Sequence, residues 1–171
     1  MKLTGRNIKR RLYGVKRLGN RMARARYFRG HGVHSPFVYG IVRQVFMCSR
    51  PLSERHDLYD LLLAMGVPRR RALQLQNLCV HCGYVTYAVD ECRADADLII
   101  LTPHLSDEDM NACIASSREA GTTLAVLYPY LNRERERACR AVVSSHECTT
   151  VDNRGYLLVF NNHLPKQHFR L

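Results

Sequence analysis

The sequence predicts an α/β fold: a mostly parallel sheet that ends in an antiparallel hairpin and is preceded by N-terminal helices. Strand-like and helix-like segments alternate from residue 84 to residue 145, which implies parallel strands joined by right-handed crossovers. Two short β-rich runs follow, separated by the hairpin turn Asp152-Asn153-Arg154-Gly155. With 171 residues, of which 46% are hydrophobic and 24% charged, the chain suits one globular domain.

Three helices are predicted between residue 35 and the sheet. Ser35 followed by Pro36 predicts a helix start, because serine caps free N–H groups and proline is tolerated at the first helical position. Apolar residues then recur at helical spacing over 36–47. Two further helices, one ending near Met65 and one over about 69–81, are separated by a short glycine-containing turn.

The sheet is predicted to contain five strands. Residues that typically begin or end helices mark the two helices between them. Ser106 and Gly121 bound one helix, over about 107–120, and Asn132 begins another, over about 133–145. β-branched and apolar runs mark the strands. The predicted strands are 84–89, 97–101, 122–128, 148–151 and 156–161.

The net charge of +11 is concentrated at the N-terminus. Residues 1–29 contain eleven Lys or Arg residues and no acid, so residues 30–171 carry no net charge. Apolar residues at helical spacing predict a basic amphipathic helix over 6–29, which favours an arm that binds RNA or another anionic surface. The alternative is that its apolar stripe packs on the domain formed by residues 30–171. The candidate nucleic-acid contacts are Lys9, Arg10, Arg11, Lys16, Arg17, Arg21, Arg24 and Arg26.

Composition also bears on the compartment. No stretch approaches the roughly 20 apolar residues that a membrane span needs, and the basic N-terminus is not followed by the features of a secretory signal. An odd number of cysteines, seven, fits free thiols in a reducing compartment, so the sequence predicts a cytoplasmic protein. Cys79 and Cys82 are not matched by a second close Cys-x-x-Cys pair, so no metal site is predicted.

His31-Gly32-Val33-His34-Ser35-Pro36-Phe37, followed by an apolar helix, resembles the N-terminal signature of a bacterial subgroup of class I S-adenosylmethionine-dependent methyltransferases. The segment from about 96 to 171 is similar to the second half of that fold, whose sheet ends in an antiparallel strand. The resemblance implies a reduced Rossmann-like sheet and, where the family's chemistry is retained, S-adenosylmethionine as cofactor.

The positions that carry chemistry depart from the family pattern. The family's cofactor loop is glycine-rich, whereas residues 73–89 contain a single glycine, Gly83. Acids often follow two of the family's strands, but Thr102-Pro103-His104 and Tyr128-Pro129-Tyr130 stand there in this chain. The remaining candidates for cofactor contacts are Gly83, Asp90 and His104, and no catalytic residue is predicted.

We therefore expect a degenerate, non-catalytic methyltransferase-like protein without a cofactor, which binds an anionic partner such as RNA through its basic arm. Two alternatives stay open. One is an active S-adenosylmethionine-dependent methyltransferase with an atypical cofactor site. The other is a DNA-binding module that uses a helix-turn-helix-like pair at 56–82, with Arg69, Arg70 and Arg71 at the start of its second helix.

Overall fold

A computed structural model describes residues 33–162 and 164–171, and all structural statements concern these ranges. They form three layers, in which a six-stranded sheet lies between two groups of helices. The predicted basic arm, residues 1–29, lies outside the described residues together with the candidate nucleic-acid contacts Lys9, Arg10, Arg11, Lys16, Arg17, Arg21, Arg24 and Arg26.

The first layer is built from the three predicted helices. Helix α1, Pro36–Ile41, begins at Ser35, whose hydroxyl accepts a hydrogen bond from the backbone N–H three residues later at 3.4 Å. It continues into a π-helical turn, Val42–Phe46. Helices α2, Asp57–Ala64, and α3, Arg69–Cys82, follow. Among the described helices, none combines the length and apolar composition that crossing a membrane requires.

The sheet has the strand order β1-β2-β3-β5-β4-β6. Strand β5 is antiparallel to both of its neighbours, and the other pairings are parallel. Two helices, α4 and α5, lie on the face opposite the first layer. The strands are β1 Tyr87–Val89, β2 Leu98–Leu101, β3 Thr123–Leu127, β4 Thr149–Asp152, β5 Tyr156–Val159 and β6 Gln167–Arg170, and the helices are α4 Asp107–Ala120 and α5 Arg133–Ser145.

Alternation along the strands divides the core between the two faces. Leu98 and Ile100 of β2 join the cluster that packs on α1 to α3, whereas Ile99 and Leu101 join the cluster that packs on α4 and α5. All four are at most 2% exposed, as expected for a strand covered by helices on both sides. The central strands therefore hold the two helical layers in fixed positions.

The predicted α/β class and mostly parallel sheet are confirmed, and two details differ. The hairpin of β4 and β5 is present, but the chain continues into β6, which pairs parallel to β4. The exposed, polar sequence Gln167–Arg170 gives no clear strand pattern. The strand predicted over 84–89 is shortened, because the Asp97 carboxylate accepts hydrogen bonds from the N–H groups of residues 85 and 86, both at 2.8 Å.

The prediction that all seven cysteines are free is wrong for two of them. Cys92 and Cys113 form a disulfide, with their Cα atoms 5.2 Å apart. The bond joins the loop between β1 and β2 to the middle of α4, a proximity between distant segments that spacing in the sequence does not reveal. Cys79 and Cys82 remain thiols, and burial raises their pKa values to about 12 and about 11.

We expect the protein purified without reductant and unfolded in denaturant to contain five free thiols, and seven after reduction. Titration with a thiol reagent, followed by mass spectrometry of the alkylated peptides, measures both values. The Cys92→Ser variant is the matched control, since it releases Cys113 and should show six thiols with or without reductant. A count of seven in the unreduced wild-type protein would show that the disulfide does not form.

Candidate functional site

The carboxyl edge of the parallel strands is where open α/β sheets bind ligands, at a point where the strand order reverses direction. The parallel strands of this sheet follow one another in chain order, β1, β2, β3, β4 and β6, with β5 inserted between β3 and β4. The strand order of the described sheet therefore does not reverse. The helical connections between its parallel strands do not diverge to opposite faces, so no crevice of that kind opens at the carboxyl edge. Whether this edge can still bind a ligand depends on the side chains at the strand ends.

The ends of β1 and β2 are joined through Asp90. Its carboxylate accepts hydrogen bonds from the backbone N–H of Thr102 at 2.6 Å and from the Thr102 hydroxyl at 2.5 Å. Asp90 adopts a φ of 55°, a left-handed conformation that costs energy for a residue with a side chain. The acid predicted to contact a cofactor is thus turned onto the neighbouring strand, where Thr102 is 3% exposed.

The ends of β2 and β3 are joined through Arg135 of α5, which is 3% exposed. Its Nε donates to the carbonyl oxygen of Leu127 at 3.0 Å, and its Nη2 donates to the carbonyls of Leu101 at 3.1 Å and Thr102 at 3.0 Å. These carbonyls belong to the last residues of β2 and β3 and the residue after β2, and strand ends need such donors. The guanidinium therefore fills the space between the two strand ends.

The other two candidates for cofactor contacts lie apart from each other. Gly83 ends α3 with a φ of 72°. The next residue, Tyr84, hydrogen-bonds through its hydroxyl to Thr123, the first residue of β3, at 2.7 Å, which places this turn at the amino edge of the sheet. His104 follows β2 at the carboxyl edge and is exposed. The three predicted residues, Gly83, Asp90 and His104, thus do not form one site.

A cleft of about 300 Å³ lies between α5 and the strands β4 and β6. It is lined by both acids and bases, but these groups are already engaged with one another. Glu136 accepts from Arg140 at 2.6 Å, Tyr130 donates to Asp152, and His168 lies 2.8 Å from the Thr150 hydroxyl. Both acids that line the cleft, Glu136 and Asp152, therefore already accept hydrogen bonds from neighbouring side chains.

The start of α3 has the opposite character. Arg69, Arg70 and Arg71 occupy its first turn, which contains no acid. Cations there are disfavoured by the positive end of the helix dipole, and an anion would offset this. Residues 74 to 79, which follow this turn, are buried and therefore not available for base recognition. Their polar members donate or accept internally, such as Gln74 to the carbonyl of Phe46 at 3.0 Å.

Sequence reasoning missed Arg135, although its position carries a signal. Arg135, Cys139 and Val142 follow one another at helical spacing, and all three are buried. An arginine within an apolar stripe indicates a buried cation that needs acceptors from elsewhere in the fold. The three carbonyls come from segments distant in the sequence, so their identity could not be derived from that stripe.

No group of three or more His, Cys, Asp or Glu side chains is arranged to hold a metal ion within residues 33–162 and 164–171. Comparison with known proteins adds no further assignment. No protein-family model matches the chain, and neither a curated protein nor a solved structure is significantly similar to it.

We expect Arg135→Met to destabilise the protein by about 3 kcal/mol, because it removes three hydrogen bonds between a buried guanidinium and the carbonyl oxygens at the strand ends. Such a loss lowers the melting temperature of a chain of this size by about 6–12 °C. Chemical denaturation at constant protein concentration measures the free energy.

The matched control is Arg137→Met, which removes an exposed arginine from the same helix. It should change the free energy of unfolding by no more than about 0.5 kcal/mol. Equal losses in the two variants would show that the bonds of Arg135 to the strand ends contribute nothing specific.

Proposed function

We propose that this protein is a non-catalytic member of the methyltransferase-like Rossmann folds, which binds an anionic partner, RNA in the first instance, through its basic N-terminal arm. The observation that carries the non-catalytic part is the carboxyl edge of the sheet. Arg135 and the pair of Asp90 and Thr102 occupy it with interactions that the fold itself needs. Binding a cofactor at that edge would require breaking them.

The antiparallel strand β5 supports the methyltransferase-like architecture, because the resemblance implies an antiparallel strand near the end of the sheet, although the parallel strand β6 follows it here. The helix that follows the His-Gly-Val-His-Ser-Pro-Phe motif supports it too, since Ser35 caps that helix and Val38 and Ile41 are fully buried. The fold then serves as a scaffold whose cofactor half is reduced to β1 and the short loop 90–97.

The charge distribution supports an anionic partner. The whole excess of +11 lies in residues 1–29, and in the remainder of the chain acids and bases balance. Basic segments of this kind bind nucleic acids through phosphate contacts and released counterions. The cytoplasm, where RNA is accessible, stays the proposed location. The Cys92–Cys113 disulfide counts against it, because disulfides are rare in reducing compartments, and seven free thiols in the unreduced protein would favour it.

We expect S-adenosylmethionine to leave the melting temperature unchanged. A ligand at 100 times its dissociation constant stabilises a protein by about 2.7 kcal/mol, which corresponds to about 5–10 °C for a chain of this size. Thermal unfolding with and without the cofactor at millimolar concentration measures this. A shift of that size, with a micromolar dissociation constant in calorimetry, would instead support the alternative of an active methyltransferase with an atypical site.

We expect RNA binding to depend steeply on salt. If about six of the basic side chains contact phosphates, the logarithm of affinity falls against the logarithm of salt concentration with a slope of about −4 on single strands and about −5 on duplex. Replacing the eight candidate residues Lys9, Arg10, Arg11, Lys16, Arg17, Arg21, Arg24 and Arg26 by glutamine should abolish binding, which fluorescence anisotropy with labelled RNA measures.

The matched control replaces Arg69, an exposed arginine at the start of α3, by glutamine and should leave RNA binding unchanged. Sequence preference should be slight, because phosphate contacts position a partner without specifying it. Full RNA affinity after loss of the eight arm charges would contradict the proposal. Selective duplex DNA binding that disappears with substitutions in 56–82 would favour the helix-turn-helix alternative.

A further inference from the structure

A small cavity of about 90 Å³ opens where the start of α3 meets the turn after β4. We call it the α3 cavity. Its polar lining consists of Arg70, Arg71, Gln74, Asn153 and Arg154, with apolar side chains completing the wall. Its volume suits one small polyatomic group, and a nucleoside or a peptide would not enter it.

The lining of the α3 cavity is cationic. It contains three arginines and no Asp or Glu side chain. Arg70 and Arg71 lie in the first turn of α3, where the helix dipole adds a partial positive charge. In the described part of the chain, neither of these two arginines has a carboxylate within ion-pair distance.

Arg71 is held in place by neutral contacts. Its Nη1 donates to Gln74 at 2.9 Å, and its guanidinium carbon lies 5.8 Å from the centre of the Tyr156 ring. Burial lowers the pKa of Arg71, the direction expected for a partly desolvated cation without an acid beside it. Its Nε and Nη2 donate to no described group. These two parallel donors are the pair that binds phosphate or carboxylate oxygens bidentately.

Asn153 supplies the second, independent indication of a ligand. The residue is 8% exposed, and its Oδ1 accepts from the backbone N–H groups of Gly155 and Tyr156, both at 3.0 Å. Those two donors fix the amide orientation, and the Nδ2 group then has no hydrogen-bond partner in the part of the chain that the structure describes. The amide lies near the Tyr156 hydroxyl without meeting hydrogen-bond geometry, and it partly opposes the rise in the pKa of Tyr156 that burial causes. A buried donor without an acceptor is costly and calls for an acceptor in the cavity.

We propose that the α3 cavity is a binding site for one phosphate group, which accepts hydrogen bonds from Arg71 Nε and Nη2 and from Asn153 Nδ2 and is further neutralised by Arg70. The group is either inorganic phosphate or a phosphate carried by a larger molecule whose remainder stays outside. The site is separate from the basic arm, and its existence does not depend on RNA binding by that arm.

Two substitutions test the site in the full chain, with inorganic phosphate as the probe in isothermal calorimetry at constant ionic strength. Asn153→Asp keeps the oxygen that holds the turn and replaces the free donor by a negative charge. Gly155→Ala leaves Arg71 in the sequence but displaces it, because the added Cβ would lie 2.1 Å from Arg71 Nε, while Gly155 is not among the residues with a positive φ.

Each variant should raise the dissociation constant for phosphate by about 10-fold to 100-fold, the value of one charge-assisted hydrogen bond or more. Arg69→Ala is the matched control, since it removes a charge from the same helix turn without lining the cavity, and it should stay within about twofold of the wild type. Arm charges are present in all of these proteins, so differences between them report on the cavity. Circular dichroism without phosphate checks that each variant is folded.

The result that overturns the proposal is phosphate affinity that is undetectable in the wild-type protein, or that is equal in wild type, Asn153→Asp and Gly155→Ala. If only one of the two variants is unfolded, the other decides. Dimethyl phosphate, a diester probe, distinguishes the sources. Equal affinity for both probes supports a site for the backbone of a nucleic acid, and affinity for inorganic phosphate alone supports a site for a free or terminal phosphate.

Discussion

The buried guanidinium of Arg135 is the interaction on which the arrangement of the sheet and α5 depends. A cation in a protein interior is expensive unless hydrogen bonds replace its hydration. Here three carbonyl oxygens at the ends of β2 and β3 do so, and they in turn gain the donors that strand ends need. One side chain thereby fixes how α5 approaches the sheet and which strand ends lie side by side.

The hydrogen-bonding groups at the carboxyl edge of the sheet have partners within the fold, whereas some of those around the α3 cavity have none in the described part of the chain. At the ends of β1, β2 and β3, Asp90 and Arg135 form hydrogen bonds with backbone groups of the fold. Among the described residues, Arg71 at the start of α3 and the neighbouring Asn153 retain donors without acceptors. A ligand at the carboxyl edge of the sheet would have to replace existing hydrogen bonds, whereas an anion in the α3 cavity would accept hydrogen bonds from donors that have no described partner. The proposed chemistry of this protein is therefore binding.

Local features of the sequence predicted most of the elements, and contacts between distant segments account for what it missed. Caps at Ser106 and Asn132 set the starts of α4 and α5 correctly, because capping is a matter of a few adjacent residues. The hydrogen bonds of Asp97 that shorten β1 and the Cys92–Cys113 bond both join residues that only the fold brings together. For the candidate site, the sequence identified Asp90 and His104 as strand-end residues but not the role of Arg135.

The two outer strands have a consequence for how the molecule meets other copies of itself. Unpaired strand edges can recruit further strands and lead to aggregation. In the described sheet, β1 is three residues long and is followed by Asp90 and Glu91, while β6 is four residues long, contains Arg170 and begins after Pro165 and Lys166. Short length, charge and proline all discourage strand addition. Both edges of the sheet are thus protected against pairing with a strand of another copy of the chain.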